Sequence, residues 1–174
     1  MWLDPKNPIK IILPKDRGNS ITVLGAISTK LDKLVYTLDS TTDNESVVKF
    51  MDELAKHIKP GATIVLDNHP SHHSVEVRKR IASMEANALY LPLYTSELNP
   101  IERVWAMFKR RWADKIVEEK GAIDNERAQK HIRDILENQI SPESITNLAK
   151  NDIEYMITIM KETPETNEFE DYEV

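Results

Sequence analysis

Thr63-Ile64-Val65-Leu66 runs without an interruption into Asp67-Asn68. An unbroken apolar run of this kind is found in strands buried on both faces, whereas one-sided burial leaves an alternating pattern. Strands covered on both sides belong to layered α/β domains. A charged residue directly after such a strand lies at the carboxyl edge of the sheet, where α/β folds gather their ligand sites.

The neighbouring segments fit the same layering. Ser20–Ser28 is β-branched and apolar and predicts a strand, Lys30–Lys33 a turn, and Leu34–Leu38 a second strand pairing with the first as a hairpin. Asp43 or Asn44 can cap a helix whose apolar positions Val47, Val48, Phe50, Met51 and Leu54 recur at helical spacing, with Lys59-Pro60-Gly61 ending it. Ser74–Glu85 reads as a helix with Val75, Val77, Ile81 and Met84 inward, and Ala88–Pro92 as a short strand. Asn99 begins a long helix to about Glu119, with Ile101, Val104, Trp105, Phe108, Trp112 and Ile116 along one stripe. Two further helices are expected over 123–138 and 142–160. Residues 1–19 read as irregular apart from a short strand at Ile9–Leu13.

A chain of 174 residues accommodates one domain, or one with a short appendage. It has no cysteine, which rules out disulfides and cysteine-ligated zinc. No apolar run approaches the roughly 20 residues that span a bilayer, so no membrane partner is expected. The start, Met1-Trp2-Leu3-Asp4-Pro5-Lys6, lacks the apolar stretch of a signal peptide. The expected location is therefore cytoplasmic, nucleoid-associated in a bacterial host, or nuclear in a eukaryotic one.

The net charge of −6 argues against nucleic-acid handling until its distribution is considered. Residues 162–174 hold six acidic and no basic side chains and read as a disordered tail, leaving 23 of each sign elsewhere. Within that neutral remainder, Arg78-Lys79-Arg80 and Arg103, Lys109, Arg110, Arg111 and Lys115 form local basic clusters. Each cluster can be a solvated helix face, or a patch that contacts phosphates.

Asp67 and Glu102 each have two readings. Asp67, with Asn68 and Pro70 nearby, suits a turn. Glu102 suits the third position of a helix with Asn99 as N-cap and Pro100 at the first helical position. Equally, a carboxylate at a strand's end and one at a helix mouth can converge on a divalent metal, as in two-metal phosphoryl-transfer sites. Such sites usually take a third acid. His69, His72 and His73 lack an evident fourth ligand for zinc and read as surface residues at a helix start. Trp105 and Trp112 read as core rather than as a base-stacking platform.

The text around these residues decides between the readings. Val65-Leu-Asp67-Asn68, His72-His73, Leu91-Pro-Leu-Tyr-Thr-Ser-Glu-Leu-Asn-Pro-Ile-Glu102-Arg-Val-Trp105 and Lys109-Arg-Arg111 together closely resemble the catalytic domain of mariner-type DDE transposases, which include many bacterial insertion-sequence enzymes. The likeness runs from about Trp2 to Lys115, and the 34 residues between Asp67 and Glu102 match a spacing common in that family. It implies an RNase H-like α/β fold, with a mixed sheet flanked by helices, that cleaves DNA at transposon ends and joins the ends to a target. Mg²⁺ or Mn²⁺ would be the cofactor. Asp67 would match the second aspartate of the family's catalytic set and Glu102 its third acid. Asn68, His72 and Asn99 match positions near the site, Arg103, Lys109, Arg110 and Arg111 would meet DNA, and a homodimer is a family expectation.

The chain departs from the family at its beginning. The first aspartate belongs on a strand upstream of the segment that Trp2-Leu3-Asp4-Pro5 resembles, so that strand is expected to be missing, and neither Asp4 nor Asp39 replaces its acid. The expected organisation is a partial catalytic domain over 1–120, a helical C-terminal extension over 121–161 and the acidic tail over 162–174. The alternative is a catalytically inactive truncated or domesticated fragment that binds DNA or a partner without cutting.

Overall fold

The computed structural model describes residues 20–28, 30, 31, 33–93, 95, 98–119 and 123–162. The expected strand at Ile9–Leu13, the Trp2–Pro5 segment, Tyr94, Ser96 and Glu97 of the motif, and tail residues 163–174 lie outside them.

Strand β1 (Thr22–Ala26) and strand β2 (Val35–Asp39) pair antiparallel with Leu24 opposite Thr37. Helix α1 (Asn44–Ala55) follows, started by a capping box in which Asp43 accepts from the Ser46 N–H and the Ser46 hydroxyl oxygen accepts from the Asp43 N–H. It ends at Ala55, earlier than Lys59-Pro60-Gly61 suggested, because Lys56 and His57 already turn back onto Glu53 and Leu54. Gly61 then takes φ of +80°, a left-handed conformation that glycine adopts without strain.

Strand β3 (Thr63–Leu66), one turn of 3-10 helix (Pro70–His73), helix α2 (Val75–Ser83) and strand β4 (Asn87–Tyr90) form a βαβ unit whose strands run parallel. Ser74 caps α2 through the Val77 N–H, and Val77 and Ile81 are buried. Val75, expected inward, is 51% exposed, since as the first helical residue it precedes the turn that packs on the sheet. Helix α3 (Ile101–Glu118), helix α4 (Asn125–Asp134), a π-helical turn (Ile135–Gln139) and helix α5 (Pro142–Glu162) complete the chain. Among the described residues, no helix is long and apolar enough to cross a membrane.

The α/β layering expected from the sequence is present. The parallel and antiparallel directions of a mixed sheet both occur, but among the described residues they occupy two separate two-stranded sheets, β1–β2 and β3–β4. The first sheet is covered on both sides. Leu24, Ala26 and Val35 face a cluster built by α1, α2 and β3, with Val47, Phe50, Met51, Leu66, Val77 and Ile81 at its centre. Val23, Tyr36 and Leu38, one residue out of phase, face a second cluster of Ile101, Val104, Ile132, Ile135, Leu136 and Ile145. This period of two is what a pleated strand imposes. The second cluster joins α3 to α4, the π-helical turn and α5, so the C-terminal helices share a core with the helix that carries Glu102.

Candidate active site

Asp67 directly follows β3, and Glu102 lies in the first turn of α3. Both line one cleft of about 220 Å³, together with His69, His72 and Asn99. Its apolar walls come from Val23, Leu24 and Gly25 of β1, from Val47, Phe50 and Met51 of α1, and from Trp105. Strand β1 and the carboxyl end of β3 thus open onto the same space. A strand end and a helix start remote in sequence are brought to one cleft, as the two-carboxylate reading requires.

The Asp67 side chain is 40% exposed and accepts a backbone hydrogen bond on Oδ1, with the His72 ring beside the same oxygen. The His69 N–H donates to Oδ1 at 3.0 Å, and His72 Nδ1 lies 2.8 Å from that oxygen. The first of these is the turn role that Asp67 could equally have filled, and the turn is what orients it. His72 Nδ1 also lies 3.3 Å from the Asp67 carbonyl oxygen. Carboxylate and carbonyl oxygens only accept, so Nδ1 carries the hydrogen.

Asn68 ties the turn to β4 by donating through Nδ2 to the Leu91 carbonyl. Its Oδ1 therefore accepts from His73 Nε2 at 2.9 Å. The His73 ring stacks on Tyr90 at 4.3 Å between centroids, and burial, with His72 and Arg78 nearby, lowers its pKa. Burial likewise raises the pKa of Tyr90, whose hydroxyl donates to the His72 carbonyl at 3.1 Å. His69 Nδ1 is engaged by Ser71 Oγ at 2.6 Å. Each of the three histidine rings thus has a different partner.

At the mouth of α3 the sequence expectation shifts by one residue. Pro100 occupies the cap position and Asn99 precedes it, yet Asn99 still serves the helix end. Its Oδ1 accepts from the Ile101 N–H at 3.3 Å and its carbonyl from the Glu102 N–H at 3.0 Å. The helix N-terminus favours a carboxylate at Glu102. Trp105, one turn later, rests on Gly25, where an added Cβ would meet the indole at 2.8 Å. Its role in fixing the helix against β1 was not legible from sequence, where it counted only as core.

Arg103, Lys109, Arg110 and Arg111 are all exposed. They do not form one face. At about 100° per residue, Arg103 and Arg110 point away from the buried Ile101 and Val104, Arg111 flanks one side, and Lys109 shares the flank of Glu102 and Trp105. Lys109 stands roughly 10 Å along the axis from Glu102. In the other basic cluster, Arg80 is paired to Asp52.

The donor chemistry of the cleft fits a hard divalent cation, which takes carboxylate oxygens and retains waters. Asp67 Oδ2 is free of hydrogen bonds among the described residues, and Glu102 supplies the second carboxylate. No group of three or more His, Asp or Glu side chains is arranged around a common metal position among the described residues. A larger cleft of about 360 Å³ lies between β2, α1 and the π-helical turn, where Tyr36 donates to Glu137 and His57 sits beside Glu53.

Residues 6–124 match a family model described as DDE superfamily endonuclease. Among solved structures, a chain of the simian T-cell lymphotropic virus intasome in complex with PP2A regulatory subunit B56 gamma is similar with a TM-score of 0.53 and 11% identity, over 81% of this chain and 61% of that one. The catalytic core domain of BIV integrase gives 0.52 and 13%, over 80% of this chain and 93% of that one. The catalytic domain of Mos1 mariner transposase gives 0.46 and 16%, over 83% and 78%. No curated protein matches the sequence. The two integrase likenesses show the fold, the RNase H-like architecture of integrase catalytic cores.

Proposed function

The chain belongs to the DDE superfamily endonucleases, and from that premise we propose that it is a transposase catalytic-domain fragment for metal-dependent DNA strand cleavage and transfer. The observation that carries this reading is the convergence of Asp67 and Glu102 on one cleft. Asp67 and Glu102 would hold Mg²⁺ or Mn²⁺, the turn at His69 and the Asn99 cap setting their positions. When bound, the ion would supply an activated water and charge stabilisation at the phosphate oxygens. Lys109, on the flank of Glu102, is the cation best placed to meet a phosphate near the cleft, while Arg103, Arg110 and Arg111 meet the backbone farther out. The DNA would comprise transposon ends and target, handled by a homodimer. Residues 1–120 would form the partial catalytic domain, 121–161 its helical extension and 162–174 an acidic tail.

The second reading is a fragment that binds DNA or a partner through α3 without cutting it. It is favoured by one observation, that only two carboxylates meet in the cleft among the described residues and no third acid joins them. Incubating the 174-residue chain with transposon-end DNA and Mg²⁺ or Mn²⁺ separates the two. Nicking that disappears in Asp67→Ala and in Glu102→Ala supports the endonuclease. Nicking that persists in both variants refutes the assignment of these carboxylates, and binding without any nicking supports the second reading.

A further inference from the structure

We propose that His72 is a positioning residue, whose ring braces Asp67 by donating from Nδ1 to its carbonyl and standing against Oδ1, so that Oδ2 is left for the cation. The inference rests on the reading of Asp67 as a metal ligand and adds to it a residue that sets the ligand's orientation.

A carboxylate 40% exposed at a strand end would otherwise exchange rotamers, and ordering it on metal binding would cost side-chain entropy. Here the order is already present. The His69 N–H donates to Oδ1 at 3.0 Å, and His72 Nδ1 stands 2.8 Å from that oxygen while donating to the Asp67 carbonyl at 3.3 Å. One of these is unavoidable in the turn, but the other depends on a side chain five residues away that must itself be held. The His72 side chain is only 17% exposed. Its carbonyl is gripped by the Tyr90 hydroxyl, Tyr90 stacks on His73, His73 donates to Asn68, and Asn68 donates to Leu91. These contacts form a loop from the end of β3 through the 3-10 turn to β4 and back to the residue after Asp67. A free surface histidine needs no such support. An outer partner that orients a metal ligand in this way typically governs affinity by 10–100-fold.

The amide nitrogen of asparagine lies close to the position of histidine Nδ1, and that of glutamine close to Nε2, so the two amides separate this hydrogen bond from mere volume. Mn²⁺ is titrated into the full 174-residue chain and followed by the spectroscopic signal of the free ion. His72→Ala and His72→Gln are expected to bind Mn²⁺ about tenfold more weakly, and His72→Asn close to wild type. Equal losses in His72→Asn and His72→Gln, or wild-type affinity in His72→Ala, would overturn the proposal. A second readout needs no metal. Two-bond ¹H–¹⁵N correlations should show His72 in the Nδ1–H tautomer, and an Nε2–H wild type would equally overturn it. Mn²⁺ affinity unchanged in Asp67→Ala marks failure of the underlying ligand reading instead.

Discussion

The contact between Gly25 and Trp105 ties the mouth of α3 to β1, and its strength can be worked out. An ideal Cβ at Gly25 would stand 2.8 Å from Trp105 Cη2, 3.1 Å from Cζ2 and 3.4 Å from Leu34 Cδ1. Carbon atoms rest at about 3.5–4.0 Å, so in Gly25→Ala the indole must retreat by roughly 1 Å. Retreat is limited because Phe108 meets Trp105 edge-on at 6.5 Å and is itself stacked on Trp112. Overpacking of this kind costs about 1–3 kcal/mol. Replacing a strand glycine returns about 0.5–1 kcal/mol of backbone entropy. The net expectation is a loss of about 1 kcal/mol, or roughly 2–4 °C in Tm for a chain of this size. Urea unfolding followed by circular dichroism measures it. In a double-mutant cycle, Gly25→Ala combined with Trp105→Leu should be less destabilising than the sum of the singles by about 1 kcal/mol. Strict additivity, or stabilisation by Gly25→Ala alone, would refute the packing argument.

Two other outcomes are expected. Tyr36, one of five tyrosines, has its pKa pushed from 10.0 up to about 12, first by burial and then by its hydrogen bond to Glu137. Its contribution to stability is therefore full below pH 10.0 and lost as pH rises towards about 12, and ultraviolet titration should show a late tyrosinate step that Tyr36→Phe removes. For DNA binding, Lys109→Ala should lower the slope of log affinity against log salt by about one, whereas Arg80→Ala, whose guanidinium is held by Asp52, should leave it unchanged.

Much of the fold was legible because local rules and burial agree. The Asp43 cap and the Val47–Leu54 stripe define α1, and the run Thr63–Leu66 gave β3 at its observed bounds. The 3-10 turn at Pro70–His73 was not legible, since its contacts reach across to β4 through Tyr90 and Leu91. The separation of the described strands into two pairs was also out of reach, because pairing is non-local. Of the residues that the motif singled out, Asp67, Glu102, His72 and Asn99 line the candidate cleft, while Asn68 braces the turn beside it. It did not reveal that Trp105 packs on a glycine of a distant strand, or that Lys109 alone among the cations shares Glu102's flank. Both depend on how α3 lies against β1.

The central claim is that Asp67 and Glu102 act jointly on one divalent ion. Titration calorimetry of Mn²⁺ into the 174-residue chain, its Asp67→Ala and Glu102→Ala variants and the double variant tests it most directly. The account predicts saturable binding in the wild type, with either single substitution weakening it nearly as much as both together. Wild-type affinity in either single variant, or losses that simply add, would contradict it.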